Sequence, residues 1–337
     1  MIEELKISNF KSIKEQSFEF KPLVILTGTN SSGKSSVLHA ILLTSYNNAS
    51  RSLQELIRNF DEFSIARNSF IKKDIISIAI NGRSFSIDDE DYDRSKAAYL
   101  EGLKFEENLF FISANRTGAE DLAHYNDYEK FGVNGEYAFS YFDKHWQEKA
   151  GIIKFENDES LKGQLWNWCK EILELDFDIQ TNKINENFVE IKYYFRNISK
   201  ELSPFNVGTG ISYALRILII GLNCKKGDIF IVENPEIHLH PKAISNMAKF
   251  FIFLAKNGVQ VILETHSEHI INSACYEVCK KNFDSSDIVI YYKADQNSDF
   301  EKINVGNSGK FVDENGNLRK YPSGFFDANS AELWELL

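Results

Sequence analysis

Gly28, Thr29, Asn30, Ser31, Ser32, Gly33, Lys34 and Ser35 follow one another in the pattern GxxxxGK[ST]. The chemistry open to such a run is phosphate binding. Its glycines let backbone N–H groups turn inward around a β-phosphate, and a helix opening at its end adds a positive dipole terminus. Lys34 is expected to span β- and γ-phosphates and the Ser35 hydroxyl to ligate Mg²⁺, with Asn30, Ser31, Ser32, Gly33 and Ser36 lining the cradle. Two later runs can complement it. Ile229 to Val232 leads into Glu233, Asn234, Pro235 and Glu236, the shape of a Walker B element whose carboxylate holds the metal shell. Val259 to Leu263 leads into Glu264, Thr265, His266 and Ser267, where a histidine could sense a γ-phosphate. Each run has a plainer alternative: a Ser/Gly-rich surface turn, a solvated strand end, a structural histidine. Their joint occurrence, each after a short apolar run, favours nucleotide chemistry.

Those residues need rigid elements behind them. Leu5 to Ile13 alternates apolar and polar residues and predicts a strand, as does Ser17 to Phe20. Leu23 to Thr27 is a short buried strand, and a helix is expected from Ser35 to about Ser45 with Val37, Ile41 and Leu42 on one face. Ile75 to Ile87 alternates around Asn81-Gly82, a hairpin signal, and Asp88 to Asp93 is an acidic surface segment. Asn108 to Ile112 predicts a buried strand that stops at Ser113 to Arg116. From Thr117 to about Leu202 the character changes. Aromatic-studded helical patterns lie at Glu136 to Lys149 and Ser160 to Leu175, then alternating strands around Phe188 to Phe195, which together predict an inserted lobe. Helices follow at Gly208 to Cys224 and Pro241 to Lys256. Buried strands joined by helices mean an α/β sheet, whose ligands gather at the carboxyl ends of its strands.

The 337 residues carry 38 Lys+Arg against 49 Asp+Glu, a net charge of −11, which argues against a general nucleic-acid coat. With 43% hydrophobic and 26% charged residues the chain is globular rather than disordered or collagen-like. The acidic start has no apolar signal segment, no stretch is long enough for a bilayer span, and the four cysteines form no disulfide framework. A cytoplasmic protein without membrane contact is the expectation.

Together these motifs resemble the ABC-type ATPases of the RecF, SMC and OLD group. Asn9 to Ile13 is similar to that group's opening "NFKS" strand, and Val232 to Pro241 to its "DEPE-x-HLHP" Walker B and D-loop. Thr265, His266 and Ser267 match its "THS" switch, and Asn206 to Ser212 sits where the signature loop belongs. Lys320 to Asp327 resembles the "GFFD" tail of OLD-like ATPases without a nuclease domain. The resemblance implies an α/β P-loop NTPase of the ABC-ATPase head type, with a mainly parallel sheet, an antiparallel lobe and an inserted, mainly helical lobe. Its parts would be an N-terminal ATPase lobe at 1–116, the inserted lobe at 117–200 and a C-terminal ATPase lobe at 201–337. It further implies ATP and Mg²⁺ as cofactors, and a homodimer or higher oligomer in which Gly208, Thr209, Gly210 and Ser212 cap the γ-phosphate held by another subunit. Lys11 and Arg116 are expected on the phosphate side, with Arg116 standing where the Q-loop glutamine is missing.

The departures shape the function. The family places Asp then Glu at the Walker B strand end, whereas this chain has Glu233 and Asn234. Glu233 can serve the metal. Asn234 cannot take a proton, so Glu236 or His266 would have to assist, and losing a general base commonly costs about 10²- to 10⁴-fold. A slow ATPase is expected, and the resemblance implies one that dimerises on ATP and controls a separate nuclease or toxin effector in bacterial anti-phage defence. The alternatives are an ATP-dependent scaffold or inhibitor with little turnover, and a RecF-like repair ATPase, which would need a basic DNA-facing groove. The roughly 70 residues after His266 are expected to hold no Toprim nuclease, being short for a domain. His238 and His240 near Glu236 belong to the D-loop resemblance rather than to a metal site, and Cys275 with Cys279 reads as a helix face.

Overall fold

Alternation of apolar and polar residues builds the first sheet. In the computed structural model, which describes residues 1–45, 62–71, 73–92, 102–127, 130–313, 315–320 and 322, β1 (Glu4–Phe10) buries Leu5, Ile7 and Phe10 and pairs antiparallel with β2 (Ile13–Glu19). β4 (Ile76–Ile80) and β5 (Arg83–Ile87) form the expected hairpin through Asn81-Gly82, and the four strands lie in the order β2-β1-β4-β5. Asn81, at φ 51°, also accepts the N–H groups of Glu3 and Glu4 on its side-chain oxygen, fixing the turn to the chain start. One expectation needs correcting. The strand read from Leu5 to Ile13 breaks after Phe10, because Asn9 and Lys11 take left-handed conformations (φ 60° and 48°). The buried Asn9 side chain holds that bend, donating to the carbonyls of Lys73 and Ile75, each at 3.0 Å.

The chain folds as two compact units, residues 1–105 with 262–337, and residues 106–261. In the first unit, β3 (Leu23–Gly28) is buried along its apolar run and pairs in parallel with β13 (Ile288–Lys293), in register from Leu23 opposite Ile288 to Gly28 opposite Lys293. β13 pairs antiparallel with β14 (Glu301–Val305), which pairs with β15 (Phe311–Val312). A continuous apolar run suits such a strand, packed on both faces. β12 (Gln260–Glu264) ends in this unit, and just beyond it the Thr265 N–H donates to the Leu26 carbonyl at 3.0 Å. α1 (Ser35–Leu43) follows the phosphate loop and α6 (Glu268–Cys279) follows β12.

In the second unit, β6 (Leu109–Ile112) pairs in parallel with β11 (Ile229–Glu233). α4 (Thr209–Asn223) is buried around almost its whole circumference, its apolar residues joined inside by Ser212 and Arg216. α5 (Pro241–Lys256) starts with Pro at its first position and His240 as its cap. The inserted segment, expected to hold helices at 136–149 and 160–175 and then alternating strands at 188–195, is mixed. It contains α2 (Ala138–His145) and α3 (Leu161–Leu173), but also an antiparallel sheet in which β9 (Phe188–Phe195) pairs with β7 (Leu122–His124), β8 (Phe177–Lys183) and β10 (Lys200–Leu202). The Phe188 to Phe195 alternation buries every second residue, so a sheet face rather than a helix completes this core. α3 is capped by Ser160, which accepts the Gly163 N–H, and its Trp168 packs edge-on against Phe250 of α5. The unit boundaries at 105/106 and 261/262 differ from cuts at 116/117 and 200/201 because this lobe shares its core with α4 and α5. The tail motif from Tyr321 onward lies outside the described residues, save Pro322.

Candidate functional site

In the first unit the loop after β3 is a cradle lined with backbone. At Gly33 (φ 99°) a Cβ would sit 1.9 Å from Ser12 Oγ, so only glycine lets the chain pass there. The Lys34 ammonium folds back onto the carbonyls of Gly28 and Thr29, at 3.2 and 2.7 Å, and the side chain is almost wholly buried. Ser32 Oγ is buried and has no hydrogen-bond partner among the described residues, an orphaned group that a phosphate oxygen would satisfy. The loop therefore fits a triphosphate. Asn30 and Ser31 are exposed at its rim. The two serines that follow Lys34 are engaged differently: Ser36 Oγ lies 3.2 Å from Ser12 Oγ, whereas Ser35 Oγ donates to Glu264 Oε1 at 3.0 Å. Ser35 and this neighbouring carboxylate are oxygen donors of the kind Mg²⁺ takes.

Lys11 is turned toward α1. Its ammonium bonds His39 Nδ1 at 2.7 Å. Burial and the Lys11 charge push the imidazole pKa down to about 3, so the ring is neutral and accepts. At the end of β12, Thr265 and Ser267 are buried while His266 between them is exposed. Thr265 Oγ1 accepts the Ser267 N–H at 2.9 Å, which fixes the backbone around the histidine.

In the second unit Glu233 ends β11, nearly buried, and its Oε2 accepts the Ala114 N–H at 3.0 Å. Asn234 turns the chain at φ 42°, and its Oδ1 is buried without a partner among the described residues. Arg116 lies beneath this turn. Its guanidinium donates to the carbonyls of Ser113, Glu233 and Asn234 at 3.2, 2.8 and 2.6 Å and stacks 5.4 Å from the Tyr213 ring, which in turn lies 4.8 Å from His238. Burial lowers its pKa to about 10 against the pull of Glu236, Tyr213 and Glu233, so it stays charged at neutral pH. Arg116 is thus a clamp on the strand end, committed to carbonyls. Glu236 is half-buried in the following loop, and His240 Nδ1 accepts the Lys242 N–H at the start of α5.

Gly208 and Thr209 are exposed at the head of α4, but Gly210 and Ser212 are buried. A Cβ on Gly210 would meet the His238 carbonyl at 2.2 Å, so the helix start can approach the D-loop only with glycine. Ser212 Oγ is held 2.9 Å from Tyr193 OH inside the unit, whereas Gly208 and Thr209 stay exposed. Farther along, the wholly buried Arg216 pairs with Glu120 and donates to the carbonyls of Gly118, Ser212 and Gly135. Burial raises the Glu120 pKa and lowers that of Arg216, while their mutual attraction opposes both shifts.

The motifs assign no role to Glu264, Ser12, His39, Tyr213 or Arg216. Glu264 had a readable signal, since it ends an apolar run as Glu233 does. The others act through partners far away in sequence and carry none.

A family described as "AAA domain" matches residues 4–203, more than half of the chain. The chain belongs to the AAA domain family. A second family, "AAA ATPase domain", matches residues 136–271 of this AAA-domain chain, and one described as "Protein of unknown function (DUF3696)" matches residues 284–336. Over 262 residues it is 25% identical to the Septu protein PtuA of Bacillus mycoides (strain KBAB4), covering 72% of this chain and 35% of that protein. Over 95 residues it is 30% identical to the Old nuclease of Escherichia phage P2, covering 25% of this chain and 16% of that one. The chain thus spans about a third or less of these curated relatives. Its fold is that of an SMC head domain. An Smc head bound to the C-winged helix domain of ScpA superposes with TM-score 0.54 at 15% identity, over 90% of this chain and 98% of that one. A Pyrococcus furiosus Smc head gives 0.53 at 12% identity, over 90% and 96%. Among the described residues no helix is long and apolar enough to cross a membrane.

Proposed function

We propose that this AAA-domain chain binds Mg²⁺-ATP, hydrolyses it slowly, and uses ATP-dependent head-to-tail dimerisation to control a separate effector in anti-phage defence. Lys34 and the loop N–H groups would hold the β- and γ-phosphates, Ser35 the metal and His266 the γ-phosphate side, while Glu233 is the strand-end acid that the family resemblance assigns to the metal. Gly208 and Thr209, exposed at the head of α4, would face the triphosphate of a second copy. Mg²⁺, when bound, supplies positive charge against the phosphate oxygens. The defence role rests on the family resemblance, which the likeness to the Septu protein PtuA and the Old nuclease supports.

The observation that carries the slow rate is Asn234. It occupies the residue after the strand-end acid, its Oδ1 is buried and free of partners among the described residues, and a carboxamide orients a water without accepting its proton. Single-turnover hydrolysis should rise about 10²-fold in Asn234→Glu relative to wild type. A fast wild type that this substitution leaves unchanged would sink the proposal. The same asparagine favours a second reading, an ATP-dependent scaffold with little turnover. That reading predicts that a partner is retained in ATP and lost in Lys34→Ala, while hydrolysis stays negligible even in Asn234→Glu. A RecF-like repair role has less support from a chain of net charge −11.

A further inference from the structure

We infer that Glu264 is the positioning residue that prepares Ser35 to ligate the metal of Mg²⁺-ATP, an inference that rests on the nucleotide reading above. The contact joins residues 229 apart in sequence: Ser35 Oγ donates to Glu264 Oε1 at 3.0 Å. Glu264 closes a strand whose residues are all buried, and it is itself only 6% exposed. Removing a carboxylate from water is costly unless charge or hydrogen bonds compensate, so a residue retained only for shape would not need to be an acid.

A serine hydroxyl has one proton and two lone pairs. With its proton donated to Glu264, both lone pairs stay available to a cation, and the hydroxyl cannot rotate to present its hydrogen instead. The adjacent negative charge also raises the basicity of Oγ. These are the two effects, orientation and basicity, by which an outer carboxylate tunes a metal ligand. The neighbouring serine is arranged otherwise. Ser36 Oγ is engaged with Ser12, so of the two hydroxyls after Lys34 only that of Ser35 is set by an acid. The acid is itself fixed, because the adjoining Thr265 N–H is bonded to Leu26 of β3, the strand that carries the loop. The pattern GxxxxGK[ST] calls for Ser35 and is silent about this partner.

Binding of a fluorescent ATP analogue to the full chain, titrated with Mg²⁺ and repeated in EDTA, tests the inference. In Glu264→Ala the Mg²⁺ concentration for half-maximal tightening should rise about 10- to 100-fold. In Glu264→Gln, which keeps an acceptor without the charge, it should rise less but measurably. Affinity in EDTA, set by Lys34 and the loop, should stay at the wild-type value in both. An unshifted Mg²⁺ midpoint in the variants overturns the inference, as does an equal loss with and without metal, which would mark Glu264 as a strut. If Glu264→Ala does not fold, the near-isosteric Glu264→Gln decides by the same criteria. A wild type that binds the analogue in neither condition brings down the nucleotide reading and this inference together. A wild type that tightens with Mg²⁺ beside unshifted variants removes this inference alone.

Discussion

β11 and β12 are five-residue strands of the same design, apolar runs buried throughout and ending in glutamate, yet their two acids are held in opposite ways. Glu233 accepts a backbone N–H from Ala114, and the carbonyls of Glu233 and Asn234 are gripped by Arg116. Glu264 accepts the hydroxyl of Ser35, a side chain that itself belongs to the phosphate loop. Backbone donors have no freedom to change partners, so the Glu233 end is built as a fixed fixture. A hydroxyl can take a cation on its lone pairs while keeping its donor bond, so on the proposed reading the Glu264 end would respond to a ligand. The difference teaches that one local pattern, an apolar strand closed by an acid, can serve direct charge or the tuning of another group, according to who donates to it.

The sharpest way to break that contrast is to neutralise each acid in turn. Glu233→Gln keeps an acceptor for Ala114 but removes the charge proposed to meet the metal directly. Its single-turnover hydrolysis should fall about 10²- to 10³-fold. Glu264→Gln, acting through Ser35, should lose less in the same assay. Equal losses, or a larger loss in Glu264→Gln, would erase the distinction between a direct and an indirect carboxylate.

How far the sequence reveals this contrast follows from the distances involved. Strand ends, the phosphate loop and the helices after them are local, and periodicity with Gly and Pro punctuation places them: Pro241 to Lys256 is the helix expected, and Ser35 begins α1 as the motif demands. What the residues lack is their partners. Glu264 is plain beside Thr265, His266 and Ser267, but nothing local says that it meets a serine 229 residues away. Ser212 stands in a glycine-bracketed helix start like its neighbours, and only the fold shows that Tyr193 takes its hydroxyl inside. The alternation from Leu5 to Ile13 runs on past the true strand end because the bend depends on the Asn9 side chain reaching Lys73 and Ile75. In the central lobe the alternation from Phe188 to Phe195 is legible because β8, β9 and β10 pair as local hairpins, whereas β7, a three-residue strand that meets β9 about 65 residues later, gives no such pattern.

The fixed end should fail as a loss of stability rather than of metal response. Arg116→Ala leaves the carbonyls of Ser113, Glu233 and Asn234 without their donor and opens space beneath Tyr213. Orphaned buried acceptors and the lost packing predict a destabilisation of about 2 kcal/mol, read as a lower urea midpoint. Arg116→Lys, with a single ammonium in place of a fork, should recover only part of it. If Arg116→Ala unfolds at the wild-type midpoint, the clamp is not what fixes this end.

The responsive end has side-chain ties that can titrate, and there pH gives the mildest test. His39 accepts from Lys11 as a neutral ring, its pKa lowered to about 3 by burial and by the Lys11 charge. The unfolded chain would protonate the same ring near pH 6.5. Between those two values the unfolded state binds the extra proton, so stability is fully present above about pH 6.5 and is lost as pH falls toward 3. Each pH unit within that window takes away at most about 1.4 kcal/mol. From pH 7.5 to 5.5 wild type should therefore lose about 1 kcal/mol more than His39→Gln, whose carboxamide oxygen can still accept from Lys11 but does not titrate. Parallel urea midpoints for the two proteins across that range would mean that the ring is as easily protonated folded as unfolded. The contact between Lys11 and α1 would then contribute nothing that depends on the ring staying neutral, and the phosphate-loop side would be as indifferent to pH as the backbone-held one.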